Sequence, residues 1–353
     1  MPKMTTAAAR GIATAAITAF AAATLTGCSL AGQGDNPGES GGGKVTILTH
    51  DSFVISDEQI AAFEKETGYD LVTTAPGDAG VVTSQLQMEG GASGVDGVFG
   101  IENYSALAIS ETDALADFTP QNLPESASDY VLSPKLTPID RGQVCINVDH
   151  DWFKENGKTE PTGFEDLAKP EYAELLTLTN PTTSSPGLAF AVASINALGE
   201  DQWQTYWTDL IKGGAKVNES WSDAYFTDFS GAEGAGEYPL VLSYSSSPAA
   251  TERSTGVIES TCTEQVEYAG VLKNAANPEG AQAFIEFMLE DEFQQGLPEA
   301  MYMYPINDAI ELPEDWAKKA TLVDAPVEVD LDQLKTKRET WLKEWTKIYE
   351  ANA

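Results

Sequence analysis

Basic residues are scarce in this chain of 353 residues: 20 Lys and Arg stand against 55 Asp and Glu, for a formal charge of −35. A surface that neutralises phosphates needs the opposite balance, which excludes nucleic acid as a partner. The acidity favours a cationic ligand only weakly, because strong net charge is also a solubility device. Histidine is rarer still, with His50 and His150 alone, too few to build a metal centre. Walker and dinucleotide-binding glycine fingerprints are absent, as is any internal repeat. After the N-terminal leader, no apolar run is long enough to span a bilayer.

What is present begins with that leader. Lys3 and Arg10 precede an apolar run from Gly11 to Leu25, which ends in Leu25-Thr26-Gly27-Cys28. A basic start, a short apolar core and small residues read as an export signal over residues 1–27. The tetrapeptide resembles a bacterial lipobox, whose Cys becomes the lipid-modified first residue of the mature chain. Cys28 is thus the expected lipid attachment, placing the protein outside the cytoplasmic membrane. Residues 28–43, rich in Gly, Ser and Asn, read as a flexible tether with a mean span of about 20 Å. Membrane contact is then through the anchor only.

With Cys28 assigned to lipid, Cys145 and Cys262 remain, either bridged in an oxidising compartment or as two free thiols. Both lie in or beside strand-like segments, away from the helix N-terminus that would activate a thiolate.

The body alternates strands and helices and predicts an α/β fold. Lys44 to Thr49 reads as a strand, followed by the polar loop His50-Asp51-Ser52-Phe53. Ser56-Asp57-Glu58-Gln59 opens an amphipathic helix with capping-box chemistry. Tyr69 to Thr74 and Gly94 to Gly100 are further strands. Ligands of such sheets sit at the carboxyl ends of parallel strands, which makes His50, Asp51, Ser52, Glu102 and Asn103 candidates by position. A second block holds Leu175 to Thr179, a polar loop, and a helix from Leu188 to Leu198 capped by Ser185. The helix start offers free N–H groups suited to an anion. A C-terminal helix over residues 330–350 carries Leu334, Trp341, Trp345 and Ile348 at core spacing.

Two stretches of the second block mix aromatics with hydroxyls: Ser220-Trp221-Ser222-Asp223-Ala224-Tyr225 and Ser243-Tyr244-Ser245-Ser246-Ser247-Pro248. Aromatic faces hold flat or cationic ligands while hydroxyls orient polar edges, although core packing beside serine-rich turns gives the same pattern.

Together with Thr49-His50-Asp51-Ser52-Phe53, Leu86-Gln87-Met88-Glu89-Gly90, Thr183-Ser184-Ser185-Pro186-Gly187-Leu188, Ser247-Pro248-Ala249 and Met303-Tyr304-Pro305, these segments occur in an order that resembles the thiamine-binding proteins of bacterial ABC importers. The resemblance covers nearly the whole mature chain. It implies a two-lobed type II periplasmic-binding fold, each lobe a mostly parallel sheet flanked by helices. Lobe one would span residues 44–142 and 266–353, lobe two residues 143–265, joined by two crossover strands. A Cys145–Cys262 bridge would then tie the crossovers together near the hinge. The resemblance also implies thiamine or thiamine phosphate as ligand, ABC permease subunits as partners, a monomer, no cofactor and no catalysis. Trp221 and Tyr244 would wall the pocket, Ser184 would lie at the phosphate end and Tyr302 at the lip. Ser185, Tyr225, Ser243 and Ser245 complete the expected ligand-binding set. Three positions depart from the family pattern: His50 and Ala250 stand where Tyr is familiar, and Thr182 where Arg is.

Two rivals remain. Another solute, such as a polyamine, would need carboxylates around aromatics; ferric iron would call for adjacent tyrosines, and no Tyr-Tyr pair occurs. A thiaminase-type enzyme of the same fold would need Cys145 or Cys262 as nucleophile.

Overall fold

A computed structural model describes residues 42–89, 94–232 and 236–353. Its first strand, β1 (Gly43–Leu48), is followed by α1 (Asp57–Thr67), β2 (Tyr69–Thr74), α2 (Ala79–Glu89), β3 (Gly97–Glu102) and α3 (Asn103–Ser110). The predicted capping box is present: Ser56 Oγ accepts from Gln59 N at 3.1 Å, and Gln59 Oε1 accepts from Ser56 N at 3.0 Å. Gly68, in the left-handed region at φ 74°, ends α1 and turns the chain straight into β2.

β1 pairs in parallel with both β2 and β3. After the short β4 (Leu115–Ala116) comes the long β5 (Thr137–Asp149). The next block contains three short helices, α4 (His150–Asn156), α5 (Phe164–Leu167) and α6 (Pro170–Ala173), then β6 (Leu176–Thr179), α7 (Ser185–Leu198), α8 (Trp203–Lys212), β7 (Lys216–Asn218), β8 (Leu240–Tyr244) and β9 (Thr255–Val257). β6 lies parallel to β7 and β8. The second long strand, β10 (Thr263–Leu272), leads to α9 (Pro278–Met288), α10 (Asp291–Met301), β11 (Tyr304–Pro305), α11 (Glu314–Lys319) and α12 (Leu331–Asn352).

The strands follow the order β2-β1-β3-β10-β5-β8-β6-β7. Parallel strands thus flank an antiparallel centre. β10 pairs with β3 on one side and β5 on the other. β5 in turn passes from β10 to β8 near Val144. These two strands are the only ones in that order to join the two parallel groups, giving a two-lobed α/β molecule. Beside them Cys145 and Cys262 form a disulfide, with Cα atoms 4.2 Å apart.

α7 is apolar all round, and its residues from Ser185 to Ile195 are buried, as expected of a helix covered on every side. α12 is amphipathic and packs on α8 and on α3. Trp345 meets Trp207 edge-on with ring centroids 5.6 Å apart. Among the described residues no helix is long and apolar enough to cross a membrane. The leader, most of the tether and Cys28 lie outside the described residues.

Candidate functional site: a closed cleft between the lobes

The carboxyl ends of the parallel strands converge on one enclosed cavity of about 20 Å³, lined by His50, Ser52, Asp78, Ser185, Trp221, Tyr244, Glu267, Met301 and Met303. That is room for about one water, whereas organic-ligand pockets run to several hundred Å³. An organic ligand therefore needs the wall residues to move apart.

The closed state has specific seams. Trp221 N donates to Asp78 Oδ2 at 3.0 Å, and Gly80 N donates to the Thr183 carbonyl at 2.9 Å. Ser52 Oγ and Ser222 Oγ lie 3.3 Å apart. Glycine is required at position 80, because a Cβ there would sit 2.6 Å from the Thr183 backbone. Ser246 Oγ donates to the Tyr302 carbonyl. Tyr302 itself adopts φ 59°, the one non-glycine residue in the left-handed region among those described. Its ring meets Trp221 edge-on, with centroids 5.9 Å apart.

Trp221 is fixed from behind. A π-helical turn at Asp223–Asp228 slides Tyr225 under the indole, the rings stacking at 5.1 Å and 13°. The indole Nε1 donates to Ser243 Oγ at 2.9 Å, and that hydroxyl lies 2.7 Å from Ser247 Oγ. Tyr244, at the end of β8, has its ring 5.8 Å from Trp221. Gln265 Nε2 donates to Tyr244 Oη at 3.1 Å and to Ser185 Oγ at 3.3 Å, linking β10 to both. The rings and hydroxyls are thus held by bonds to other protein groups.

The cavity is acidic. Burial pushes the Asp78 carboxyl up, opposed by Ser184, the N–H groups of Trp221 and Ala79, and His50. Burial would hold the His50 imidazole down, but Glu267, and less so Asp78 and Asp51, outweigh it and raise it above its ordinary value. Tyr244 is held well above the usual phenol range by burial, then by Glu267 and Asp78. Two carboxylates, an imidazole and two aromatic faces make a container for a flat organic cation.

Of the residues singled out from sequence, His50, Ser52, Ser185, Trp221 and Tyr244 line the cavity. Tyr225 and Ser243 stand one layer behind as supports. Ser184 is buried beside Asp78 and occupies the N-cap position of α7 without a side-chain capping bond, so Ser185, the expected cap, is instead the first helical residue. Ser245 is buried but is not part of the cavity wall. Asp51 is exposed at the cleft edge. Glu102 lies elsewhere: β3 runs directly into α3, and Glu102 caps that helix by accepting from Ser105 N at 2.9 Å. Asn103 is spent on β10, accepting from Val266 N at 3.1 Å. Thr182 folds onto its own loop, bonding Asn180, and Ala250 lines an outer groove.

Asp78, Glu267, Met301 and Met303 were missed. Glu267 had a readable signal, a lone acid inside the apolar run Val266 to Leu272. Asp78 had a weaker one, an acid directly before a helix that follows a parallel strand.

Fold and cleft define a two-lobed binding protein that closes over a small solute. The chain belongs to the bacterial extracellular solute-binding protein family, whose pattern matches residues 96–325. It is 29% identical over 315 residues to a thiamine-binding periplasmic protein of Salmonella typhimurium, covering 85% of this chain and 92% of the relative. A thiamine-binding periplasmic protein of Brucella melitensis is 27% identical over 327 residues, covering 86% and 91%. Among solved structures, a periplasmic thiamin-binding protein superposes with a TM-score of 0.76 at 25% identity, covering 87% of this chain and 96% of that one. A ferric-binding protein from Campylobacter jejuni shares the fold at a TM-score of 0.67 and 18% identity.

Proposed function

We propose that this protein is an exported solute receptor that captures thiamine, or thiamine phosphate, between its lobes and delivers it to an ABC permease. The observation that carries the reading is the cavity itself, with Trp221 and Tyr244 facing Asp78 and Glu267 in one enclosed space. Thiamine is a permanent cation with two flat rings. Each cation–π contact contributes roughly 0.5–2 kcal/mol, more where water is excluded. Its relatives' names point the same way. The lobe boundaries we draw are residues 44–142 with 266–353, and 143–265; the change of partner along β5 and the pairing of β10 support them. Hinge closure would make the closed form the one that docks on the permease. Tethering through a lipidated Cys28 and a monomeric state belong to the same proposal.

The bond between Cys145 and Cys262 weighs against the thiaminase-type alternative, since it leaves neither sulfur as a thiolate nucleophile. Calorimetry with thiamine and with spermidine tests the ligand. Heat with thiamine is expected; no heat with thiamine and clear binding of spermidine would overturn the choice. Trp221→Ala should weaken thiamine binding at least about tenfold through the lost ring contact, and unchanged affinity would remove Trp221 from the pocket.

A further inference from the structure

His50 is wedged into the cavity wall. Its ring lies 5.6 Å from that of Phe99, and it presses so closely on Gly100, at φ 95°, that a Cβ there would meet the imidazole at 2.2 Å. Only 7% of the residue is exposed. Nε2 stands 3.7 Å from Glu267 Oε1, too long for a hydrogen bond yet close enough for strong charge attraction in a dry site.

The surrounding ionisable groups come from five segments. Asp51 is on the same loop and exposed. Asp78, before α2, has each carboxylate oxygen engaged by a backbone N–H, from Ala79 at 2.6 Å and from Trp221 at 3.0 Å. Tyr244 on β8 is neutral. Glu267 on β10 sits directly across from Asp140 on β5 in the strand register. Asp140 is fully buried, and burial, then Glu267, pushes its carboxyl well above the usual range. Two adjacent buried carboxyls avoid like-charge repulsion when one keeps its proton. Asp140 is thus pushed toward its neutral form, and the side of Glu267 facing the cavity meets His50 Nε2 at 3.7 Å.

We propose that His50 is a resident stand-in cation, whose imidazolium balances Glu267 in the unliganded cavity and gives up its proton when the ligand's own positive ring takes that place. This rests on the thiamine reading and adds a selection rule to it. A permanently charged ring replaces the proton and leaves the cavity balanced. A neutral ring of the same shape leaves the imidazolium and Glu267 paired, so it binds without releasing a proton and competes better with the cation as pH falls. The proton leaves through solvent on binding and returns on release, so no other reactant is needed.

Linkage fixes the sign. The imidazolium form prevails at low pH, so thiamine affinity should fall as pH drops through the His50 titration, by at most about tenfold per pH unit for one exchanged proton. The decisive test is titration calorimetry of the intact protein with thiamine in phosphate and in Tris, between about pH 6 and 8, above the range where the aminopyrimidine ring itself takes up a proton. Buffer-dependent heats that report proton release, with weaker binding toward acid, are expected. Thiamine binding with equal heats in both buffers and flat affinity would overturn the role of His50 while leaving the thiamine reading in place. No thiamine binding at any pH would bring down both. His50→Gln should bind thiamine with the proton release gone, and release persisting in that variant would assign the proton to another group. If His50→Gln does not fold, the wild-type buffer comparison decides alone.

Discussion

Glu102→Gln gives a sharp test of the balance between burial and ion pairing. Glu102 is 1% exposed and caps α3, with Arg338 of α12 nearby, itself bonded to Ser105 Oγ at 2.9 Å. Burial raises its carboxyl from 4.5 to about 7, against the opposing pull of Arg338 and Ser105. A raised folded-state value means the native chain holds this proton where the unfolded chain has lost it. The stabilisation is complete below about pH 4.5 and is lost as pH rises through about 7. A shift of about 2.5 units corresponds to about 3 kcal/mol. Urea unfolding should therefore show the wild type gaining stability from about pH 8 to about pH 5, with His50 and Asp78, also raised, adding in the same direction. Glutamine keeps the acceptor for Ser105 N but carries no charge. The variant should match the wild type near pH 4 and exceed it by up to about 3 kcal/mol near pH 8. A variant less stable than wild type near pH 8 would refute the reasoning, because the Arg338 attraction would then outweigh burial.

Two further outcomes concern the frame around the cleft. Replacing both Cys145 and Cys262 by Ser opens a link between residues 117 apart, which on chain-entropy grounds should cost about 4–5 kcal/mol in denaturant unfolding; an unchanged midpoint would show that the bridge adds nothing. Asp96 accepts from Thr46 N at 2.9 Å and Asn277 N at 2.8 Å, so Asp96→Ala should cost about 1–3 kcal/mol of stability with thiamine affinity kept, and a loss of affinity at full stability would place it in the site instead.

Local chemistry was the legible part of this chain. The capping box at Ser56, the core spacing of Leu334, Trp341 and Trp345, and the apolar α7 depend on neighbours within a few turns, and pattern reading reaches that far. Glu102 shows the limit. An acid between a strand and a helix reads equally as a cleft carboxylate or as a cap, and only the absence of an intervening loop decides it. The acidic half of the cavity was hidden for a different reason. Asp78 and Glu267 lie far apart in the chain, and the local signal each carries does not say that the two meet in one cavity. Tyr225 behind Trp221 depended on the π-helical turn, whose period differs from the regular helix used to read faces.

The C-terminal helix α12 has a mechanical meaning. It lies against α3 and α8, which the proposed boundaries place in different lobes, while the segment before it bonds the residue preceding β10, Val327 N to the Cys262 carbonyl at 2.7 Å. Two strands alone would let the lobes twist as well as swing. A bridge at Cys145–Cys262 and a helix laid across both bodies would resist sideways shear more than a swing. A permease of the kind proposed above would then have one coordinate to read, the angle of that swing, as the sign of a filled or empty receptor.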